Sequence, residues 1–365
     1  MIQRRGTRSL ALLLGIGSLL LLAILLGSVC VGATGTLSPS AALGGIARMA
    51  GLSSEGMGEA APLASEAGRL QLIVELRVWR ALTAAGVGAA LGLSGGLIQG
   101  LFRNALASPS LLGVSGGAAL GAALAIAAIG GYGILDREFS PGALFVPLCS
   151  FVGALATVSL VAYLSTSGGR TSVPTLLLVG IAVNMCVAGA FAAIQSLTLK
   201  DFEVSRAILA WTFGTLEDRS SHHAAIVWAA VALVAAAVPL VATELDLFRG
   251  GEADAESLGV HVGRVKTLTL VCAALCASAA VSVAGQIAFV GLAVPHLVRL
   301  LAGASHRRVL PLCVVGGALF LLGADLLQRA LFGASTLQPG VLMSLFGGPF
   351  FVFLLVRHRR EIGAW

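Results

Sequence analysis

Few residues in this sequence could carry out chemistry, and their spacing forms no catalytic or metal-binding pattern. His222 and His223 are adjacent, so on a helix they point about 100° apart and cannot chelate one ion together. The six cysteines lie in apolar runs without paired spacing, which indicates neither a disulfide framework nor a zinc site. Asp325 is the lone acid deep in an apolar run, and Arg329 follows four residues later on the same helix face. The sequence therefore predicts no catalytic residue, no metal site and no cofactor held by this chain.

The sequence also lacks a means of using ATP by itself. No G-x-x-x-x-G-K-[ST] phosphate loop is present, and neither Lys200 nor Lys266 lies in a glycine-rich stretch. Proton relays in membranes use several buried acids, whereas Asp325 is placed for a local ion pair with Arg329. An energy source is therefore expected in a partner protein.

The elements that position these residues must be membrane helices. Of the 365 residues, 57% are hydrophobic and only 11% are charged, against about 25% charged in soluble domains. This composition excludes a soluble globular enzyme, and a disordered chain needs the opposite composition. A bilayer-spanning helix needs about 20 apolar residues. Nine stretches lack Asp, Glu, Lys and Arg: 9–47, 81–102, 104–135, 139–169, 171–199, 220–243, 267–298, 309–324 and 330–356.

Two of these stretches refine the number of crossings. Residues 267–298 would form a helix of roughly 48 Å, which is too long for one crossing, and Gly285-Gln286 interrupts it. We predict one full span there and one short, partly re-entrant helix. The first apolar run is too long for a cleaved signal peptide, so we interpret it as an uncleaved first helix. The prediction is an all-α polytopic membrane protein of about ten transmembrane helices in a single domain, residues 1–365.

Orientation follows from the placement of Lys and Arg. With ten crossings and both termini inside, the inner side has 14 basic and 6 acidic residues, and the outer side has 9 and 11. The inner face is then +8 and the outer face −2, so the net charge of +6 is an orientation signal and no nucleic-acid partner is expected. Residues 34–80 form a long outer segment, residues 197–219 an outer segment with a short surface helix, and residues 244–266 a cytoplasmic loop.

The cytoplasmic loop is the most informative segment. Residues 252–258 favour a short helix with acids in its first turns, Gly259 is a good helix stop, and a short basic segment follows. This pattern predicts two short helices around a glycine, which would form a compact docking element for a cytoplasmic ATPase. An ordinary solvated turn is the alternative interpretation.

Several stretches resemble the FecCD-type branch of ABC importer permeases, which imports ferric siderophores, haem and vitamin B12. The E-x-x-A/S-x-x-L-G loop is similar to the coupling loop of such permeases. Other similar stretches lie, in order, at residues 77–80, 88–107, 112–118, 211–216, 289–299, 324–325, 339–340 and 347–350. The resemblance covers about residues 70–356. It departs from the family at Trp79 and Ala105, where proline is usual, and both changes alter local geometry without removing a charge.

The resemblance implies a type II ABC importer permease of ten helices per subunit. The implied partners are a second copy of the chain, two cytoplasmic ATPase subunits that bind ATP and Mg, and a periplasmic or surface substrate-binding protein. The implied location is the bacterial inner membrane, with both termini in the cytoplasm. The loop residues that would bind the ATPase are Glu252, Ala255, Glu256, Leu258, Gly259, Val260 and Arg264. The arginines that would receive acidic residues of the binding protein are Arg77, Arg80 and Arg329. For Arg77 and Arg80 the alternative is snorkelling at the membrane interface.

A further set of residues is expected to pack the helices or line the pathway. Small residues at helical spacing in 88–100 and 113–121 favour close approach of helix backbones. Polar side chains beside apolar helices are expected to hydrogen-bond between helices, Pro295 to end a helix, and the glycines before Pro349 to permit a kink in the last span. The set comprises Gln99, Gly100, Asn104, Gly113, Asn184, Pro295, Gly347, Gly348 and Pro349.

The ligand and two other function classes stay open. Residues 258–266 and 178–186 are most similar to haem-importing members, with siderophore and vitamin B12 importers as alternatives. An ion-coupled secondary transporter would need intramembrane acids in several helices, and a membrane-embedded enzyme would need clustered His, Asp or Glu. The sequence provides only Asp325 for either class.

Overall fold

A computed structural model describes residues 2–32, 35–49, 65–131, 144–167, 170–333 and 337–357. Within these ranges the protein is almost entirely α-helical, and its strands form two short antiparallel hairpins. Strand β1 (Val31–Gly32) pairs with β2 (Gly35–Thr36), and β3 (Thr166–Ser167) pairs with β4 (Arg170–Thr171). The predicted all-α class is confirmed.

Thirteen α-helices and two short 3-10 helices follow one another in the described ranges. The first half contains α1 (Ile2–Cys30), α2 (Pro39–Met49), α3 (Glu66–Phe102), a 3-10 helix (Pro109–Leu112), α4 (Val114–Ile129), α5 (Phe145–Leu164) and α6 (Val173–Thr198). The second half contains α7 (Phe202–Thr212), α8 (Ser221–Leu247), a 3-10 helix (Phe248–Gly250), α9 (Glu252–Ser257), α10 (Val262–Ala284), α11 (Val290–Ala302), α12 (His306–Phe332) and α13 (Pro339–Arg357).

The helices divide by length into full and partial spans. Among the described residues, seven helices are long and apolar enough to cross a bilayer: α1, α3, α5, α6, α8, α10 and α12. Three shorter helices, α4, α11 and α13, are also apolar. Apolar runs fold this way because a helix satisfies its own backbone hydrogen bonds where no water can. Together they agree with the predicted number of about ten.

Helix α3 forms the centre of the bundle, and residues 83–102 are all buried. Its glycines allow close approach by two neighbouring helices. A Cβ on Gly88 would collide with the carbonyl oxygen of Gly317 in α12, and one on Gly95 with that of Gly291 in α11. Small residues have this role in membrane helices because backbones can then touch. The predicted close packing of the 88–100 region is confirmed.

The helical structure is interrupted between α10 and α11, as predicted from Gly285-Gln286. Gly285 (φ 71°) and Phe289 (φ 67°) both adopt left-handed backbone conformations at the two sides of the break. One full span of 23 residues and one short helix of 13 residues result. The expected position of Pro295 is wrong, because it lies inside α11 and does not end a helix. Proline removes the helical bond to the carbonyl four residues earlier, and that carbonyl, of Gly291, lies against Gly95.

The predicted outer segment 34–80 is only partly a loop. Helix α3 begins at Glu66, where the Ser65 hydroxyl accepts a hydrogen bond from the Gly68 N–H at 3.1 Å. Its 37 residues span about 55 Å, longer than the ~30 Å hydrocarbon core, so its first turns extend beyond the bilayer. The charges between 66 and 80 therefore mark the membrane boundary and not the helix boundary. Residues 50–64 of this segment lie outside the described residues. The short helix expected within 197–219 is present as α7.

Candidate functional site

Helices α3 and α12 run antiparallel and define two ends of the bundle. At one end Gly100 of α3 contacts His306, the first residue of α12. At the other end Arg80 of α3 binds Asp325, which lies 19 residues further along α12, or about 28 Å. We call the first the loop end, because residues 248–266 lie there, and the second the arginine end.

The loop end carries a compact knob, residues 248–266, built around the short helix α9. Gly251 (φ 124°) precedes α9 and Gly259 (φ 85°) follows it, both in backbone conformations that favour glycine. Gly259 is therefore the helix stop that the sequence predicted. The Lys266 ammonium donates a hydrogen bond to a Glu252 carboxylate oxygen at 2.7 Å and so fastens α10 to α9. The knob is held to the first turns of a spanning helix.

The knob differs from its prediction in two boundaries. Helix α8 continues to Leu247, so the irregular part of the predicted 244–266 loop is shorter. The basic segment after Gly259 is not a second short helix, because Val262 already begins the 23-residue helix α10. A displacement of the knob would therefore act directly on a full span.

The predicted coupling residues divide into an anchored and an exposed group. Ala255 and Val260 are buried against the bundle. Glu256, Leu258 and Arg264 are exposed with Gly259, and the Leu258 side chain is 66% exposed. The exposed group forms the outer face of the knob, on the side away from the buried Ala255 and Val260. A cleft of about 860 Å³ separates this surface from the start of α6.

At the arginine end, Asp325 binds two arginines. Its carboxylate lies 2.7 Å from an Arg80 Nη2 and 2.9 Å from an Arg329 Nη2, and its side chain is fully buried. The ion pair predicted between Asp325 and Arg329 is confirmed, and Arg80 joins it. Arg80 also lies 3.7 Å from the half-exposed carboxylate of Glu217. Buried charges need such partners because the desolvation of an isolated ion is costly.

Two of the three arginines predicted to dock a binding protein are buried. Arg77 is 7% exposed and donates hydrogen bonds to the carbonyls of Val29, Cys30 and Gly35. Arg329 is 4% exposed, and its guanidinium also donates to the Ser28 carbonyl at 2.9 Å. Both arginines thus tie the end of α1 and the β1–β2 hairpin to α3 and α12. Snorkelling of Arg77 is therefore wrong.

Arg80 keeps the most accessible guanidinium of the three. Its side chain is 15% exposed, against 3% for Arg329. The docking role itself remains a prediction, and the structure directs it to Arg80 and Glu217 at the surface of the cluster.

The polar residues beside the helices follow their prediction in two of three cases. The Gln99 amide donates to the Leu292 carbonyl at 3.2 Å, and its oxygen accepts from Arg299. The Asn184 amide donates to the Ser110 carbonyl at 3.3 Å. The expectation for Asn104 is wrong, because its oxygen accepts the Leu106 N–H at 2.8 Å within the turn that follows α3.

The predicted packing glycines lie at close contacts between elements. A Cβ on Gly100 would lie 2.6 Å from the His306 ring, and one on Gly113, which has φ 86°, 2.5 Å from Thr157. A Cβ on Gly347 would lie 2.7 Å from the Phe289 ring, whereas Gly348 has ordinary space. Pro349 lies inside α13, as expected for the last span.

Sequence reasoning missed a carboxylate at the loop end. Asp246 of α8 accepts hydrogen bonds from Ser305 and His306 at the start of α12, at 2.7–2.8 Å. In the sequence Asp246 was one acid among several near a loop, and no spacing signal connects it to residues 60 positions away. Among the described residues, no group of three or more His, Cys, Asp or Glu could hold a metal ion.

Comparison with known proteins gives consistent matches over most of the chain. The model of the FecCD transport family matches residues 16–357. The cobalamin import system permease protein of Halobacterium salinarum is 39% identical over 296 residues, covering 80% of this chain and 75% of that protein. The hemin transport system permease protein of Yersinia pestis is 38% identical over 292 residues, covering 79% and 84%.

A solved structure shows the same architecture. It is an ABC transporter assigned to the metal-chelate type, in an inward-facing conformation. It superposes with a TM-score of 0.75 at 25% identity and covers 95% of this chain and 99% of that chain.

Proposed function

The chain belongs to the FecCD transport family of ABC importer permeases, and from this premise we propose that it moves haem or a ferric-siderophore-type ligand into the cytoplasm. In this proposal a separate ATPase binds the knob at the loop end, which is the cytoplasmic end. A substrate-binding protein docks at the arginine end. The chain itself performs no chemistry.

The observation that carries the proposal is the construction of the knob. Gly251 and Gly259 allow a sharp turn on each side of α9, Ala255 is buried beneath it, and Lys266 joins it to α10. Such a turn can transmit force because it is rigid and continuous with a spanning helix. ATP-driven closure of the ATPases would move the knob and tilt α10, which would switch the pathway between outward-facing and inward-facing states.

The alternative of an ion-coupled secondary transporter finds less support. Its one candidate carboxylate, Asp325, is buried between Arg80 and Arg329. Each oxygen of this carboxylate accepts a hydrogen bond from a guanidinium, so the geometry fits a structural ion pair.

We also propose that the functional unit contains two copies of this chain. Helix α6 supports this, because only 11% of its apolar window is buried within one chain. A Cβ built on Gly189 of α6 would meet no atom of another element within 4 Å, and Met185 is 72% exposed. Close approach of a second helix at such small residues is a common mode of membrane association. A variant that keeps only Cys186, which is exposed on α6, should cross-link between copies with a short bifunctional thiol reagent.

The decisive experiment is reconstitution. The permease should co-purify with an ATPase subunit and import haem into liposomes only when the ATPase, the binding protein and ATP are all present. Import by the purified chain alone would refute the proposal. The ligand is tested separately by titrating the binding protein with haem, ferric siderophores and cobalamin. Tight cobalamin binding without haem or siderophore binding would favour a vitamin B12 permease.

A further inference from the structure

We infer that Asp246 is a positioning residue whose hydrogen bonds clamp the end of α8 to the start of α12, so that movement of the knob reaches the arginine end through α12. The inference rests on the proposed function, since an ATPase must bind the knob for this movement to arise.

The clamp consists of three hydrogen bonds to one carboxylate. Asp246 Oδ1 accepts the backbone N–H of His306 at 2.7 Å and the ring Nδ1–H of the same residue at 2.8 Å. Asp246 Oδ2 accepts the Ser305 hydroxyl at 2.7 Å. The first N–H groups of a helix have no partner within the helix, and a carboxylate at this position also interacts favourably with the helix dipole. Asp246 thus performs the N-terminal capping of α12 from a different helix.

The His306 ring extends the clamp to α3. It is 4% exposed, and its Nε2 faces Gly100, where a Cβ would approach to 2.6 Å. The ring is therefore enclosed between Asp246 and Gly100 and cannot turn without breaking the bond from Nδ1. Helices α3, α8 and α12 meet at this one residue.

The clamp lies directly beside the knob. Five residues separate Asp246 from Glu252, which begins α9, and Phe248 among them is 1% exposed. The buried Phe248 prevents the knob from moving independently of the end of α8. A displacement of α9 therefore pulls on Asp246 and, through Asp246, on α12.

Helix α12 connects the clamp to the arginine end. It is one continuous helix from His306 to Phe332, and Asp325 within it binds both Arg80 and Arg329. A rotation or shift of α12 at the clamp therefore changes the positions of the arginine cluster. This links nucleotide binding at one end to binding-protein affinity at the other.

The test measures this coupling as a ratio of affinities in the complete complex of permease and ATPase. The Kd of the ligand-free binding protein for the complex is determined with and without a nonhydrolysable ATP analogue. The coupling ratio is the larger of these two Kd values divided by the smaller. Coupling between two sites typically changes affinity by about 5- to 150-fold, and a change in this range is expected for the unchanged permease. In Asp246→Ala the ratio should fall clearly towards one, since the route through α12 is lost while the route through α10 remains, with the nucleotide-free Kd and the basal ATPase rate unchanged.

Two matched variants separate the clamp from general loosening. Asp246→Asn should retain the ratio, because its amide oxygen still accepts from His306 and its amide nitrogen can donate to the Ser305 hydroxyl. Thr243→Val removes another α8–α12 hydrogen bond, to Arg307 at 2.9 Å, and should also retain the ratio. A loss in either variant as large as that in Asp246→Ala would overturn the inference.

Each remaining outcome is decisive as well. An undiminished ratio in Asp246→Ala, or a ratio of one in the unchanged complex, would overturn the inference while the permease function stands. If Asp246→Ala does not assemble, Ser305→Ala decides, since it removes one of the three bonds: a reduced ratio supports the clamp and an unchanged ratio overturns it. Failure of the unchanged permease to bind any ATPase would instead refute the proposed function.

Discussion

Replacement of Asp325 by asparagine should strongly destabilise the protein. The substitution keeps the size of the side chain and removes only its charge, so no cavity complicates the result. It leaves Arg80 and Arg329 beside a neutral amide, with Asp325 itself fully buried and the Arg329 side chain only 3% exposed. Breaking a buried pair by removing one partner costs about 3–5 kcal/mol, because the remaining charge is uncompensated.

The structure places the expected cost near the lower limit of this range. Arg329 keeps its bonds to the carbonyl oxygens of Ser28 and Val31, and Arg80 keeps its partial exposure and its contact with Glu217. We therefore expect a loss of about 3 kcal/mol in the free energy of unfolding.

The assay is equilibrium unfolding of the purified permease by dodecyl sulfate in mixed micelles. The matched control is Glu217→Gln, which removes another carboxylate partner of Arg80 at 3.7 Å from a half-exposed position. Exposed pairs contribute about 0–1 kcal/mol, so the control should change stability by less than about 1 kcal/mol. Equal effects of the two substitutions, or a loss below about 1 kcal/mol for Asp325→Asn, would refute the assignment of Asp325 as the buried anchor of this cluster.

Three further predictions concern Gly88, Gly259 and Arg80. Gly88→Val should lower the free energy of unfolding by about 3 kcal/mol and prevent accumulation of folded protein, because its Cβ would collide with the α12 backbone. The control Gly15→Val has open space for the new side chain and should accumulate normally. Gly259→Val forces a branched residue to φ 85° and should raise the ATP hydrolysed per haem imported. Gly15→Val, in a helix with open space outside the knob, should not raise it; equal ratios would contradict the role of the turn. Arg80→Gln leaves Asp325 paired with Arg329 and should weaken binding-protein affinity most at low salt. An unchanged low-salt affinity would contradict docking there.

Much of the helical architecture was predictable because it depends on local composition. Runs of about 20 apolar residues must form helices in a bilayer, whatever their neighbours are. The break at Gly285 and the helix stop at Gly259 were predictable for a related reason, since glycine tolerates the left-handed backbone found at both positions. Boundaries were less predictable: the charged start of α3 at Glu66 and the continuation of α11 past Pro295 depend on what surrounds those residues.

The roles of the charged side chains depended on tertiary contacts. From sequence, Arg77 and Arg329 resembled cations presented to a partner, yet both bind backbone carbonyls around β1. The atoms that a guanidinium can reach depend on how the two helices are rotated and shifted relative to each other. A hydrogen bond forms only if the donor–acceptor distance is correct within a few tenths of an ångström. Periodicity predicts the face of a helix but not this distance.

The sequence by itself determined that this chain is a bundle of membrane helices with a glycine-stopped knob, because hydrophobic burial and backbone conformation are properties of short segments. Only the tertiary structure decided that Asp325 joins Arg80 across 245 positions and that Asp246 caps α12 across 60. Those contacts form where helices distant in the chain pack side by side. Small residues such as Gly88 and Gly100 allow α3 and α12 to pack closely and fix their relative position along the helix axes. That relative position determines which charged side chains face each other.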